Sequence, residues 1–127
     1  MARTRKESDD SAARYYNKLV VQLKGRGYSE EQAEAQAVEA VAKRYAGFGA
    51  MQLMHSFITP VLERAGINKV FYGPYFAFVN EYIRWKQKGD PEKASLTIRE
   101  FAAKGLDRHV LNQLVSIMNG EVTGSFA

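Results

Sequence analysis

The sequence predicts an all-α protein, in which a C-terminal four-helix bundle follows an extended, helix-turn-helix-like N-terminal arm. Three observations lead to this fold. Apolar residues recur at helical spacing in each long segment, glycines and prolines fall between the segments, and no convincing strand pattern occurs. With 127 residues and 46% hydrophobic content, the chain suits one domain, or a small domain with an appendage. We place residues 1–49 in the arm and residues 50–127 in a bundle and assembly domain.

The positive charge is concentrated at the start of the chain. The net charge of +4 is by itself weak support for a polyanionic partner. Residues 1–26 hold seven Lys/Arg and three acids, a difference of +4, while the other 101 residues hold eleven of each. The entire excess therefore lies in the arm, and we expect the arm to lie on nucleic acid.

The first arm helix is predicted from about Asp10 to Lys24, after cap residues at Ser8 and Asp9. One face of this helix is apolar and another is cationic, with Tyr16, Val20 and Leu23 on the first and Arg14, Lys18 and Gln22 on the second. Gly25 and Gly27 end it. Its apolar stripe is too narrow to make a core of its own.

The second arm helix is predicted from about Glu30 to Ala46. Ser29 as N-cap and Gln32 at the third helical position form a capping box. The helix is rich in alanine, which favours helix and lets a neighbour approach closely. Its apolar strip is thin, so we interpret both helices as an arm that reaches out from a compact domain. Glycines at 47 and 49 are the expected hinge.

The first two bundle helices are predicted from apolar segments. In the first, Pro60 should cause a kink or a restart, and Gly66 suits the position after the helix end. The second begins at Gly73-Pro74 and is apolar nearly all round. Because a small domain has few positions that deep, we expect part of this helix to face another subunit. The predicted subunit-interface residues are Tyr75, Phe76, Phe78, Tyr82, Trp85 and, in the C-terminal tail, Phe126.

The last two helices have clear start and stop signals. Asp90 caps the first of them, Pro91 occupies its first position, and Gly105 ends it. Leu106-Asp107 then turns directly into the final helix, which stops at Gly120.

No group of residues supports an enzyme. His55 and His109 have no second His or Cys at metal-ligand spacing, and we expect His55 in the core and His109 at the surface. The serines lack the context of a nucleophile elbow, and no glycine-rich phosphate loop follows a strand. Cysteine is absent, and no window approaches the ~18 apolar residues of a membrane span. We therefore expect no catalytic residue, no metal and no cofactor.

Short stretches of the second half follow one another in a recognisable order. An apolar helix ends in Ala65-Gly66-Ile67, and the aromatic-glycine stretch Phe71-Tyr72-Gly73 leads into the next helix. The final helix and the tail contain Leu106-Asp107, Val110-Leu111, Leu114-Val115, Ile117, Gly120, Thr123-Gly124 and Phe126. From about residue 49 onward, the chain resembles the major capsid proteins of rod-shaped and filamentous archaeal viruses with linear double-stranded DNA, of the rudivirus, lipothrixvirus and tristromavirus type.

The resemblance implies a helical bundle with an N-terminal helical arm. It implies that two copies, or two related chains, form a dimer that wraps the genome, and that dimers stack into a helical filament holding the DNA in A-form. The protein would then reside in the virion, and in the host cytoplasm during assembly. The arm departs from that of the naked rods, which is richer in Gly, Ser, Thr and Pro. The sequence leaves open whether the dimer is a homodimer or a heterodimer. It also leaves open whether the particle is naked or enveloped by lipid.

A coat binds every DNA sequence, so we expect contacts to phosphate and sugar. The predicted contacts are Arg3, Arg5, Lys6, Arg14, Lys18, Lys24 and Arg26, with Lys43 and Arg44 secondary. Acids on the second arm helix would repel phosphate, so they should face solvent, a neighbour or a basic side chain. These acids are Glu30, Glu31, Glu34 and Glu39.

Two other functions remain open. The first is a small helical DNA-binding regulator or nucleoid protein, in which residues 91–119 form a helix-turn-helix with Arg108, Asn112 and Gln113 as base readers. The second is a helical interaction module without a nucleic-acid role.

Overall fold

The computed structural model describes the backbone of residues 5–47 and 54–120 and the side chains of residues 11–47 and 54–120. Every regular element in these ranges is helical, which confirms the all-α prediction. A π-helical turn (Met54–Ile58) precedes the third helix and a 3-10 turn (Lys69–Phe71) precedes the fourth. The α-helices within the described residues are α1 (Arg5–Gly25), α2 (Glu30–Ala46), α3 (Thr59–Arg64), α4 (Tyr72–Gln87), α5 (Pro91–Ala103) and α6 (Arg108–Gly120).

Two helices start where their cap signals predict. Ser29 Oγ accepts a hydrogen bond from the Gln32 amide at 3.1 Å, and Gln32 Oε1 accepts one from the Ser29 amide at 3.2 Å. This capping box opens α2. At the start of α5, Asp90 Oδ1 accepts from the Lys93 amide at 3.1 Å. By contrast, α1 begins at Arg5 instead of near Asp10, because the Arg, Lys and Glu that precede the predicted cap are good helix formers.

Proline and glycine break the third helical segment as predicted. Pro60 has no amide hydrogen to donate, and the turn before it is π-helical while α3 begins afresh at Thr59. Gly66 ends the segment with a φ of +76°, a conformation that favours glycine. The amide of Ile67 donates to the Leu62 carbonyl at 3.0 Å and closes the helix end.

One core contains residues from both predicted domains. Its largest fully buried side chains come mainly from α4, α6, α3 and the π-helical turn, while α1 and α2 add Tyr16, Val41 and several small residues. In the free chain, α1 and α2 therefore pack together and against α4, and the expectation that they reach out from a compact domain is wrong. The proposed boundary at residue 49 lies outside the described residues, so the division into domains stays a prediction.

A close approach between helices explains why thin apolar stripes are sufficient. A Cβ atom placed on Gly73 of α4 would lie 2.8 Å from the Ala12 Cβ of α1 and 3.4 Å from Val41 Cγ1 of α2. The absence of a side chain at Gly73 brings three helix backbones together. Small side chains at such a junction exclude water without forming a wide apolar face.

Candidate nucleic-acid interface

Two exposed cations of α1 form a row along its outer face. Ala12 and Tyr16 are 1% and 5% exposed, and their burial fixes how α1 is rotated against its neighbours. Arg14 and Lys18, one helical turn apart, consequently face solvent. Neither forms an ion pair with any acid in the part of the chain that the structure describes. We call Arg14 and Lys18 the α1 cation row.

Two other predicted phosphate contacts, Lys24 and Lys43, form ion pairs with carboxylates. Lys24 Nζ lies 3.6 Å from Glu30 Oε1, and Lys43 Nζ lies 3.6 Å from Glu39 Oε1. Their side chains are 49% and 42% exposed, so these are surface pairs, worth about 0–1 kcal/mol each. A phosphate group can compete for either lysine, but both are weaker candidates than the α1 cation row.

Of the remaining predicted phosphate contacts, two are exposed and three lie wholly or partly outside the described residues. Arg44 is exposed, and its guanidinium carbon lies 4.5 Å from the centroid of the Tyr15 ring, which links the end of α2 to α1. Arg26 is exposed in the turn between the two helices. Arg3 lies outside the described residues. The backbones of Arg5 and Lys6 belong to α1, but their side chains are outside the described set.

Three acids of α2 face basic side chains, as the sequence predicts. Besides the two pairs above, Glu34 Oε1 lies 3.6 Å from Lys69 Nζ and so connects α2 to the turn before α4. Glu31 is exposed to solvent. The negative charge of each of these three carboxylates is offset by the lysine beside it. The three acids therefore weaken the positive potential at the α1 cation row less than unpaired acids would.

Buried tyrosines lie beneath this surface. Burial, and secondarily the negative charge of Glu34, raises the pKa of Tyr16 to about 12. Burial, and secondarily Glu63, likewise raises the pKa of Tyr72 to about 12. Both hydroxyls stay protonated at neutral pH, so they add no charge to the interface.

Most of the predicted subunit-interface residues lie inside the monomer, and this prediction is wrong for four of them. Tyr75 and Tyr82 are each 5% exposed, and Phe76 and Phe78 are each 0% exposed. The Tyr75 hydroxyl accepts from the Asp107 amide at 2.9 Å, and the Tyr82 hydroxyl accepts from Asn119 Nδ2 at 3.1 Å. Helices α1, α2 and α5 cover the apolar faces of α4 that we assigned to a second copy. Trp85 is half-buried, and Phe126 lies outside the described residues.

Sequence reasoning missed a second cationic group, which surrounds Trp85. The Arg84 guanidinium carbon lies 5.6 Å from the centroid of the indole ring, Lys88 Nζ 4.9 Å and Lys93 Nζ 4.5 Å. Its partial signal in the sequence was the basic run after position 83 beside the single tryptophan. The contribution of Lys93 from the next helix was not readable, because it depends on how α5 folds back on α4.

The remaining surface features, a polar cavity and two histidines, give less support to binding of a polyanion. A polar cavity of about 550 Å³ lies between α3 and α6 and is lined partly by Arg64, Asp107 and His109. His109 is exposed as predicted, but His55 is also exposed, so the expectation of a core histidine is wrong. The π-helical turn before Pro60 rotates His55 outward while Met54 and Ile58 point into the core.

Two kinds of feature are absent from the described residues. No helix in residues 5–47 and 54–120 is long and apolar enough to cross a bilayer. The same ranges contain no group of three or more side chains able to hold a metal ion. The chain matches no protein-family model, no curated protein and no solved structure.

Proposed function

We propose that this chain is a structural coat protein, the major capsid protein of a helical nucleocapsid with linear double-stranded DNA. It binds the DNA through phosphates without reading its sequence, and it assembles with further copies or with a paralogous chain in the virion. The observation that carries the proposal is the α1 cation row, Arg14 and Lys18, which is exposed and faces no described acid. The ordered motifs of the second half, which resemble those of archaeal viral capsid proteins, support the same function.

The α1 cation row suits phosphate binding because its geometry is set in advance. The inner face of α1 stays packed through Ala12 against Gly73, so the two cations keep a fixed spacing on the outer face. Each neutralised phosphate releases counterions, so binding weakens as salt rises. No base contact is needed, which is what a coat for any sequence requires.

The role of the arm changes in this proposal. The DNA lies against the outer face of the packed α1–α2 pair, and the pair does not need to extend away from the other helices. Lys24 and Lys43 exchange their carboxylate partners for phosphates, at a cost of about 0–1 kcal/mol each because both pairs are solvent-exposed. Helices laid along the duplex displace water from it, and this favours the less hydrated A-form.

Exposed apolar side chains outside the predicted set can also supply contacts between copies. Phe71, in the turn before α4, is 52% exposed, and Leu96 on α5 is 47% exposed. They belong to different elements, so one copy can meet two different neighbours. Such head-to-tail contacts generate a helical filament when the rotation between copies does not close a ring.

A sequence-reading regulator is the second candidate, and one observation favours it. Arg108, Asn112 and Gln113 are all exposed on α6, which follows a tight turn at Gly105. A recognition helix would present such side chains to the major groove. This function requires a preference among sequences, which the coat does not.

The test is duplex binding by the full chain and by the variant R14Q/K18Q. Loss of two phosphate contacts should weaken binding by roughly tenfold and reduce the slope of log K against log salt by about 1.8, since each phosphate contributes ~0.9. The matched control is K86Q/R99Q, which removes the same charge from exposed positions on α4 and α5. Fluorescence anisotropy with a labelled duplex measures both quantities.

Three results would contradict the coat. Equal weakening by the control and the α1 variant would show that only net charge matters. A preference of more than about a hundredfold for one of several unrelated duplexes would favour the regulator. Electron microscopy that shows no filaments of protein with linear duplex DNA, despite binding, would exclude assembly.

A further inference from the structure

The corner between α4 and α5 holds three cations around one aromatic ring. Lys88, at the end of α4, and Lys93, in the first turn of α5, place their Nζ atoms 4.9 Å and 4.5 Å from the Trp85 centroid. Arg84 lies 5.6 Å from the same centroid. Cations from two helices thus lie around a single indole. Among the described residues, one other lysine lies over an aromatic ring: Lys104 Nζ is 4.4 Å from the Phe101 centroid, and no second cation shares that ring.

The indole ring is fixed in place by a carboxylate. Trp85 Nε1 donates to Glu81 Oε1 at 3.0 Å, and an Arg84 guanidinium nitrogen donates to the same oxygen at 2.8 Å. Glu81 therefore offsets the charge of Arg84 and orients the ring. The acid is occupied by these two donors and is not paired with either lysine.

Lys88 and Lys93 are not held by a carboxylate. Neither forms an ion pair with an acid among the described residues. Asp90 lies between them in sequence, but its Oδ1 accepts from the Lys93 amide as the cap of α5. Glu92 lines a different surface of α5 together with Leu96 and Arg99.

The two ammonium groups lie close enough to contact the same phosphate backbone. Both Nζ atoms lie within 5 Å of one centroid, at 4.9 Å and 4.5 Å, so the two cations belong to the same small patch of surface. Attraction to the ring stabilises each cation separately, but the cations repel one another. Anionic groups bound beside them offset that repulsion, and a phosphate oxygen accepts from ammonium donors readily.

We propose that Lys88, Lys93 and the ring of Trp85 form a second phosphate-binding site for a nucleic-acid backbone, separate from the α1 cation row. The identity of the polymer rests on the proposed function, while the site itself rests on the geometry above. A membrane surface fits less well, because the indole is half-buried and hydrogen-bonded to Glu81 and cannot insert among lipids. The site gives each copy a contact with DNA at the far end of α4 from Gly73.

The single tryptophan of the chain makes the site directly observable. Full-length protein is titrated with an unlabelled 20-base-pair duplex, and in a separate arm with inorganic pyrophosphate, while Trp85 emission is recorded. We expect a saturable emission change with both, and roughly tenfold weaker binding by this signal in K88Q/K93Q. The matched control K86Q/K104Q, which removes the same charge, should retain wild-type emission changes. Circular dichroism checks that both variants stay helical.

Each outcome supports or overturns the inference. Duplex binding by anisotropy with no change in Trp85 emission overturns the second site and leaves the coat proposal standing. A lysine-dependent response to pyrophosphate without any duplex binding supports the site as a phosphate site and overturns the coat instead. Equal loss in both double variants, or a response to vesicles of phosphatidylserine but not to the duplex, overturns the site.

Discussion

Helices α1 and α2 contribute to the core in a different way from helices α4 to α6. The first pair supplies mainly small side chains, and the second group supplies large ones. The buried residues of the pair are Ala12, Tyr16, Ala33, Ala37, Val38, Val41, Ala42 and Ala46, whereas the largest buried side chains of the group include Tyr72, Phe76, Phe78, Leu111, Leu114 and Met118. The same core therefore has a strongly anchored part and a weakly anchored part.

The difference follows from the area that each side chain buries. A fully buried Leu or Phe contributes about 1.5–3 kcal/mol, and a single buried methyl-sized group contributes about 0.8 kcal/mol. The α1–α2 pair adds a few polar links, such as Lys69 to Glu34 and Arg44 to Tyr15, which are partly exposed and weak. Damage to α4 should therefore unfold the whole protein, while damage to the α1 contact should loosen the pair alone.

The largest expected effect comes from Phe78→Ala. Phe78 is 0% exposed and packs edge-on against Phe101, with ring centroids 5.4 Å apart. Truncation should lower the free energy of unfolding by about 3–5 kcal/mol because it leaves a cavity. Urea denaturation measures the loss. The control is Phe71→Ala at the 52% exposed position, which should change stability by less than ~0.5 kcal/mol; similar losses in both variants would mean that α4 is not the anchor.

Local chemistry made much of the fold predictable. The capping box at Ser29, the Asp90-Pro91 start and the glycine stop at Gly66 each depend on residues within a few positions, so sequence alone locates them. The α1 cation row is likewise set by spacing along one helix.

Contacts between distant segments were not predictable. The packing of α1 depends on the close approach of Gly73 to Ala12. The residues next to each of them in sequence give no sign of that contact. For the same reason, the aromatic residues of α4 were assigned to a second copy when α1, α2 and α5 cover them. The cations around Trp85 were missed because Lys93 arrives from another helix.

A smaller and more local effect is expected from Gly73→Ala. The new Cβ would lie 2.8 Å from Ala12 Cβ, and neither atom is the end of a flexible chain, so helix α1 must shift. Overpacking of this kind costs about 1–3 kcal/mol. Hydrogen exchange should accelerate in α1 and α2 more than in α6. The control Gly25→Ala, where a Cβ meets nothing within 4 Å, should leave exchange unchanged or slower. Uniform acceleration across all helices would show that the two parts of the core are equally anchored.

The smallest effect concerns pH and compares one tyrosine from each part of the core. The pKa of Tyr16 in α1 and of Tyr72 in α4 is raised to about 12 from 10, so the folded state keeps both protons after the unfolded state has lost them. Their contribution to stability is therefore complete below pH 10 and is lost as pH rises from 10 toward 12. By pH 11 the loss should be about 1 kcal/mol per tyrosine, after allowance for solvent screening.

Phenylalanine variants separate the two contributions. Tyr16→Phe and Tyr72→Phe each remove one titrating hydroxyl while keeping the ring, so each should reduce the difference in unfolding free energy between pH 8 and pH 11. Urea denaturation at the two pH values measures that difference. Because Tyr16 belongs to the weakly anchored pair, its hydroxyl can reach solvent when α1 detaches locally, and its share should be the smaller one. An alkaline loss that is the same in the wild type and in the double variant would show that other groups drive it.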